Sequence, residues 1–487
     1  METLQRTANR GSISTGFDID NSLKFESDNS EELQRNVSSS GSRQTATVSM
    51  WIKRTELGVA QYLFTYGNTD NDNGRTFARF QADDTLWIAG GNTLWRGTAR
   101  VFRDTSAWMH IVIAFDTTQS TANDRFKLYI NGVQETSFLT INNPSQNDIL
   151  GLNFQKQVIG YNSVDGGSYF NGYMAEIVHQ DGTASAPTEF GETDSDTGIW
   201  IPKDVSGVAS GTNGFYLDFE DASNLGNDVS GGTDFTLNNI TSADQATDTP
   251  TNNFATLNVL NRNAGGSNTG NQNNSIFTEG NTKITGNLPG YWQSGVSTIG
   301  ITSGKWYFEA KAYDSNTYIS TIGYGDEGDI ENWGRNNYFP GAAGSKSYGY
   351  AGGVAAGYGQ IIPSTNQPSP AVPYNQTNII GVAIDADNGY VYWSKDGTYI
   401  NGGNPASGAS GTGGIAVPTG TGTNGTLLPA VGFYYHTTIP AMVVNFGGYT
   451  QFTISTPASD ENGYGNFEYA PPSGYYALCT KNLAEYG

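Results

Sequence analysis

Cys479 is the only cysteine in 487 residues, so a disulfide within the chain is excluded and stability has to come from burial and sheet hydrogen bonding. Positive charge is also scarce: 24 Lys and Arg face 46 Asp and Glu, for a net charge of −22 and a pI of about 4.4. Nucleic-acid binding needs a basic footprint to displace counterions and none is visible, so no nucleic-acid partner is expected, and binding to an anionic membrane is disfavoured for the same reason. No apolar run approaches membrane-spanning length, and METLQRTANRG has no apolar core of the secretory kind. The expectation is synthesis in a cytoplasm without a signal peptide. Only 14% of residues are charged and 36% hydrophobic. The remainder is made up by Gly, Asn, Ser and Thr, with 63 glycines. With 28 Tyr, 23 Phe and 9 Trp there is ample apolar area for a core, which fits many short strands joined by polar loops.

Three histidines make an enzyme reading thin. His110 opens an apolar strand, His179 stands at a strand end and His436 follows Tyr434-Tyr435. None has a Ser, Cys or second His at useful spacing, and Cys479 reads as packing.

The stretch with the clearest pattern is Asn378 to Gly397, NIIGVAIDADNGYVYWSKDG. Ile380, Val382 and Ile384 fall on one side of an extended chain, with Ile379, Gly381 and Ala383 on the other, so the strand is expected to be buried on both faces. Asp387-Asn388-Gly389 tolerates positive φ and reverses the chain into Tyr390–Trp393. The plan recurs half a chain earlier, where HIVIAFD (His110–Asp116) is followed by RFKLYING (Arg125–Gly132). TVSMWIK and KWYFEAK precede the two copies at comparable distances. Two antiparallel β-sandwiches of related plan are expected, making the chain all-β.

These residues carry a resemblance. GKWYFEAKA (304–312), IGYG (322–325), SYGY (347–350), the hairpin and VVNFG (443–447) resemble a SPRY domain. FDIDNSLKFE (17–26), SMWIKR (49–54) and HIVIAFD/LYING resemble a concanavalin-like, laminin-G-like module of jelly-roll type. The combination, closed by APPSGYYALCTKNL (470–483), is similar to virion surface proteins of tailed bacteriophages, marine ones especially. The resemblance implies a tail or head fibre on the virion surface that adheres to a host glycan or protein. It further implies other virion proteins as partners, and a homo-oligomer with a trimer favoured. A head-decoration or tail accessory protein with purely structural contacts is the alternative, and a tailspike glycoside hydrolase the third.

The expected organisation is an N-terminal peptide at 1–16 that could anchor to the virion, then a first sandwich with its extension at 17–234. A linker rich in Asn, Gly, Ser and Thr follows at 235–290, with a SPRY-like sandwich at 291–454 and a C-terminal tail at 455–487. Asp70 and Asp72, in NTDNDNG, have the alternate spacing of calcium ligands. The glycine comes one place late and Arg79 falls where the twelfth-position acid belongs, so a solvated turn is expected and no cofactor. Glu327-Gly328-Asp329-Ile330-Glu331 has the E-x-D-x-E spacing of glycosidase carboxylates, but lies among glycines in a loop, so no catalytic residue is assigned. Candidate ligand-binding residues are Trp333, Tyr338, Phe339 and Glu331 on the glycine-rich loop 325–345, with Tyr434 and Tyr435. Aromatic faces on polar loops suit sugar rings and protein hot spots alike.

Overall fold

The computed structural model describes residues 16–67, 74–261, 275–287, 289–313, 319–327, 340–342, 346–352, 359–363, 372–417, 425–434 and 439–487. Two compact units divide the chain between Asn252 and Asn253, each an antiparallel β-sandwich.

In the first unit Thr45–Arg54 is a central strand, paired with Met109–Asp116 on one side and Gly172–Asp181 on the other. Its Ala46, Val48, Met50 and Ile52 point into the core, as do Ile111, Ile113 and Phe115 of the neighbour, following the period-two alternation of a strand. Phe126–Ile130 and Val133–Gln134 extend this sheet at one edge, Ser22–Phe25 and Gln245–Ala246 at the other. The facing sheet runs Phe138–Ile141, Thr93–Val101, Thr85–Gly90, Arg75–Phe80, Gln61–Gly67, Lys156–Ile159, Glu32–Asn36 and Thr236–Asn238. Leu63, Phe64, Ala78, Phe80, Leu86, Ile88 and Trp95 are its inward residues.

A bulge interrupts the first of these sheets. Ala175 pairs with Trp51 but Val178 with Ser49, so the strand carries one extra residue, and Glu176 there has φ of 49°. Met174 and Ile177 stay in the core, and Glu176 reaches the outer face with Val178, where its carboxylate meets the Tyr216 hydroxyl. Phe190, Val205 and Tyr216 cover that outer face by packing on Val112 and Val178.

The stretch expected as a linker does not behave as one in its first part. Thr236–Asn238 pairs with Glu32–Asn36, and Gln245–Ala246 pairs with Ser22–Phe25. Asp244 and Asp248 supply the carboxylates that neutralise buried Lys24 and Lys53, at 2.8 and 2.7 Å. Edge strands of two or three pairs leave almost no trace in composition, and here the polar residues are those that meet buried cations.

In the second unit the larger sheet runs Ile276–Thr278, Lys283–Thr285, Ala441–Asn445, Lys305–Ala312, Ile380–Asp385, Tyr390–Lys395 and Thr398–Tyr399. The smaller sheet runs Trp292–Val296, Leu427–Tyr434, Ile319–Asp326, Tyr348–Gly352 and Gln360–Ile362. The expected linker thus also contributes two strands at one end of this sheet, Ile276–Thr278 at the edge and Lys283–Thr285 next to it. The hairpin has the expected register, Asp385 opposite Tyr390 and Val382 opposite Trp393. Asp385 closes the turn by accepting from the Asn388 amide, and Gly389 takes φ of 73°. Ile380, Val382 and Ile384 fill the inter-sheet core, and Ala383 lies on the other face against Phe254, Tyr307, Phe467 and Tyr475. The C-terminal segment therefore supplies the second cover that makes this strand buried on both faces. It ends in one short helix, Thr480–Tyr486.

Candidate functional site

Arg75–Phe80 alternates Arg75, Phe77 and Arg79 outward against inward Ala78 and Phe80. Two cross-strand rows form on the outer face of this sheet of the first sandwich. Tyr62, Arg79, Trp87 and Gly97 lie opposite one another in one row; Thr65, Phe77 and Ala89 share the next, with Leu94 beyond Ala89. Tyr62 and Phe77 are buried, with ring centroids 5.1 Å apart, whereas Arg79, Trp87 and Leu94 are half-buried. A Cβ on Gly97 would stand 3.4 Å from the Trp87 Nε1, an ordinary contact, so the indole lies along the sheet over Gly97.

The Arg79 guanidinium sits 5.2, 5.6 and 5.4 Å from the ring centres of Tyr62, Phe77 and Trp87. Cations are drawn to aromatic faces by the ring quadrupole, so this cage holds Arg79 in place. Its Nη1 donates to the Tyr62 hydroxyl at 2.9 Å, while its Nε is buried without a partner. Burial raises the Tyr62 phenol above its usual range, against the pull of Arg79 and Arg75. At the margin of the face Arg75 donates to Asp165 at 2.7 Å, and that bond holds the carboxylate below its usual range. The Tyr161 and Tyr169 rings stack 4.4 Å apart in the same loop. Such a face can stack a flat ring on Trp87 and donate hydrogen bonds beside it.

The opposite sheet carries a cavity of about 290 Å³ lined by Phe17, Asp204, Tyr216, Asp218, Glu220 and Val229 among others. Glu176 lies behind Tyr216, which donates to it at 2.8 Å. Burial raises Glu176 to about 8, and Asp218, Glu220 and Asp204 add to the rise. Burial likewise raises Glu220, with Asp218 and Asp20 contributing.

Among the residues expected as ligand contacts, Trp333, Tyr338, Phe339, Glu331 and Tyr435 lie outside the described residues, as do Asp70 and Asp72. Tyr434 is described: it ends a strand, half-buried, opposite Trp292 and Ile319, with its ring 6.0 Å from that of Trp292. Among the described residues no group of three or more His, Cys, Asp and Glu is arranged to hold a metal. Burial pushes His110 and His179 down to about 3. The Trp200 indole donates to the His110 Nδ1 at 3.0 Å, so its Nε2 carries the proton toward Ser49. His179 Nε2 lies 2.6 Å from the Asn153 side-chain oxygen Oδ1. Both are neutral packing groups. Cys479 is buried in the second unit.

The face around Trp87 was not singled out from sequence. RTFARF has aromatic or apolar residues in both phases, so its alternation does not say which phase faces water; the outward arginines are the signal that could have said so.

Residues 25–188 match the Laminin_G_3 family, described as the concanavalin A-like lectin/glucanases superfamily. No curated protein matches the chain. Among solved structures, the SPRY domain of human HERC1 is similar at 12% identity and a TM-score of 0.27, covering 40% of this chain and 99% of that one. The native heptameric SAP-like pentraxin from Limulus polyphemus is similar at 16% identity and 0.26, covering 35% and 80%. Domain 4 of AbnA, a GH43 extracellular arabinanase from Geobacillus stearothermophilus solved in complex with arabinotriose, is similar at 20% and 0.22, covering 31% and 66%. The family match therefore places a concanavalin-like, lectin/glucanase-type likeness on residues 25–188, within the first sandwich.

Proposed function

We propose that the protein is a non-enzymatic adhesin on the surface of a tailed-bacteriophage particle, a tail or head fibre that holds host-surface glycan on the face around Trp87. The observation that carries the reading is that face: a half-buried Trp87 lying along the sheet beside Arg79, on a domain of lectin/glucanase type. Supporting it are the acidic charge and single cysteine, which suit a protein folded in the host cytoplasm and then displayed in many copies. Assembly as a homo-oligomer, a trimer in the resemblance, multiplies modest sites into firm attachment. Other virion proteins are the remaining partners, and no metal takes part.

The test is retention of the purified full chain on immobilised bacterial surface polysaccharides. At least one should retain it, and Trp87→Ala should weaken that binding about tenfold, since a stacked aromatic at a hot spot is worth roughly 1–2 kcal/mol. If no polysaccharide retains the wild-type chain while the protein still incorporates into particles, the alternative of a head-decoration or tail accessory role replaces adhesion.

A second reading has its own observation. Glu176 keeps its proton up to about pH 8 near three other carboxyl groups, the pairing of acid and carboxylate that glycoside hydrolysis uses. Release of reducing ends from a retained polysaccharide, lost in Glu176→Gln, would make the protein a hydrolase.

A further inference from the structure

We infer that the glycan taken by the Trp87 face is acidic, its carboxylate or sulfate received by Arg79; this rests on the glycan-binding reading above. The argument starts from how the first sandwich treats its other withdrawn arginines. Arg35 is met by Asp228, Gln157 and three backbone carbonyls. Arg54 is met by Asp84 and the Phe102 carbonyl, and Arg96 by two carbonyls and the Asn143 side chain. Arg75 has Asp165. Arg79 has one phenol oxygen and three aromatic rings.

Among the described residues no carboxylate lies within ion-pair distance of Arg79. Asp165 acts on it only through space: its Oδ2 accepts from Arg75 and from the Asn162 side-chain amide. Among the described residues of the face two guanidinium groups therefore share one carboxylate, an excess of one positive charge on a chain of net charge −22. A partly desolvated cation without a counter-charge is costly, and a planar guanidinium is matched by the paired oxygens of a carboxylate or sulfate. Among the described residues Arg79 makes one hydrogen bond, from Nη1 to the Tyr62 hydroxyl, so Nη2 and the second Nη1 hydrogen remain for that anion. The aromatic cage fixes the group before binding, which removes the ordering cost of a free arginine.

The experiment uses the full chain with oligogalacturonate, its methyl ester and a matched pair of sulfated and desulfated galactan oligosaccharides. The ester and the desulfated chain keep the rings and remove the charge. The wild type should bind at least one acidic member about tenfold more tightly than its neutral counterpart. Arg79→Gln should erase that preference, the ratio of acidic to neutral affinity falling to about one, and Trp87→Ala should weaken both members. Arg79→Lys, which keeps the charge without the planar fork, should retain part of the preference, and it serves if Arg79→Gln does not fold. Equal or tighter binding of the neutral members by the wild type overturns the acidic-ligand inference and leaves the glycan reading standing. An acidic preference undiminished in Arg79→Gln overturns the role of Arg79. If no oligosaccharide or surface polysaccharide binds at all, the glycan reading itself falls, and this inference with it.

Discussion

The two sandwiches share a plan but keep their interiors neutral in different ways. In the first, buried cations are met by carboxylates: Lys53 by Asp248, Lys24 by Glu31 and Asp244, Arg54 by Asp84 and Arg35 by Asp228. In the second, Asp385 pairs with Lys305 at 3.0 Å, but two other buried carboxylates are met by amides and hydroxyls. Glu309 accepts from the backbone N–H of Glu468 and Tyr469, from the Asn445 amide and from the Tyr307 hydroxyl. Asp460 does the same with the Asn462, Tyr464 and Ala477 amides and the Asn482 side chain. The first solution concentrates electrostatic cost in single pairs, whereas the second spreads it over many hydrogen bonds. Arg79 differs in its polar partners: among the described residues it has one phenol oxygen, whereas Arg96, also without a carboxylate, is bonded to two carbonyls and the Asn143 side chain.

The largest expected effect lies in the second sandwich, where stability should depend on apolar fill. Trp393 is 1% exposed and its indole donates to the Ile322 carbonyl at 2.8 Å, tying the larger sheet to the smaller. Trp393→Ala should cost about 4 kcal/mol through cavity and lost hydrogen bond. Calorimetry should show the second unit's transition falling. A fall of the same size in the first unit's transition, whose core has its own residues, would break the comparison.

In the first sandwich the corresponding weak point is a charge. Lys53→Met should cost about 3 kcal/mol, because Asp248 then keeps the Trp108 indole but loses its cation. Lys53→Met combined with Asp248→Leu should recover most of that loss, since removing both charges also removes the desolvation cost. Additive losses in denaturant unfolding would mean that the pair is not what holds this end together.

The hairpin at 380–395 was legible to the residue because two independent signals agree there: a short apolar run and an Asn-Gly turn. The pairing of Met109–Asp116 with Phe126–Ile130 was legible for the same reason. The edge strands at 236–238 and 245–246 were not, being too short for periodicity and polar in composition. Glu176 was hidden by the bulge: without the extra residue, period-two alternation puts it in the core beside Met174. The Arg79–Trp87 pair was hidden because opposition across strands is not written along either one.

The smallest effect sharpens the comparison by pH. Both sandwiches bury a glutamate, but Glu309 has four donors that oppose the rise from burial and hold it at about 7, whereas Glu176 has one hydroxyl and three acidic neighbours and stands at about 8. A carboxyl whose folded value lies above its unfolded one binds its proton more tightly in the folded state. Its contribution to stability is fully present below the unfolded value of about 4.5 and is lost as pH rises through the folded value. From about pH 6 to pH 8 the first sandwich should therefore lose about 2 kcal/mol on account of Glu176. Glu176→Gln keeps a group that can bond to Tyr216 and has no proton to release, so the decline should flatten in that variant. Glu309→Gln should behave differently: its amide end cannot accept from both backbone N–H groups as two carboxylate oxygens do, and the second sandwich should weaken at every pH. Urea unfolding of both variants at the two pH values reads the contrast. An unchanged slope in Glu176→Gln would assign the pH dependence to the acid pairs of the first sandwich, such as Glu31, which burial also raises to about 7.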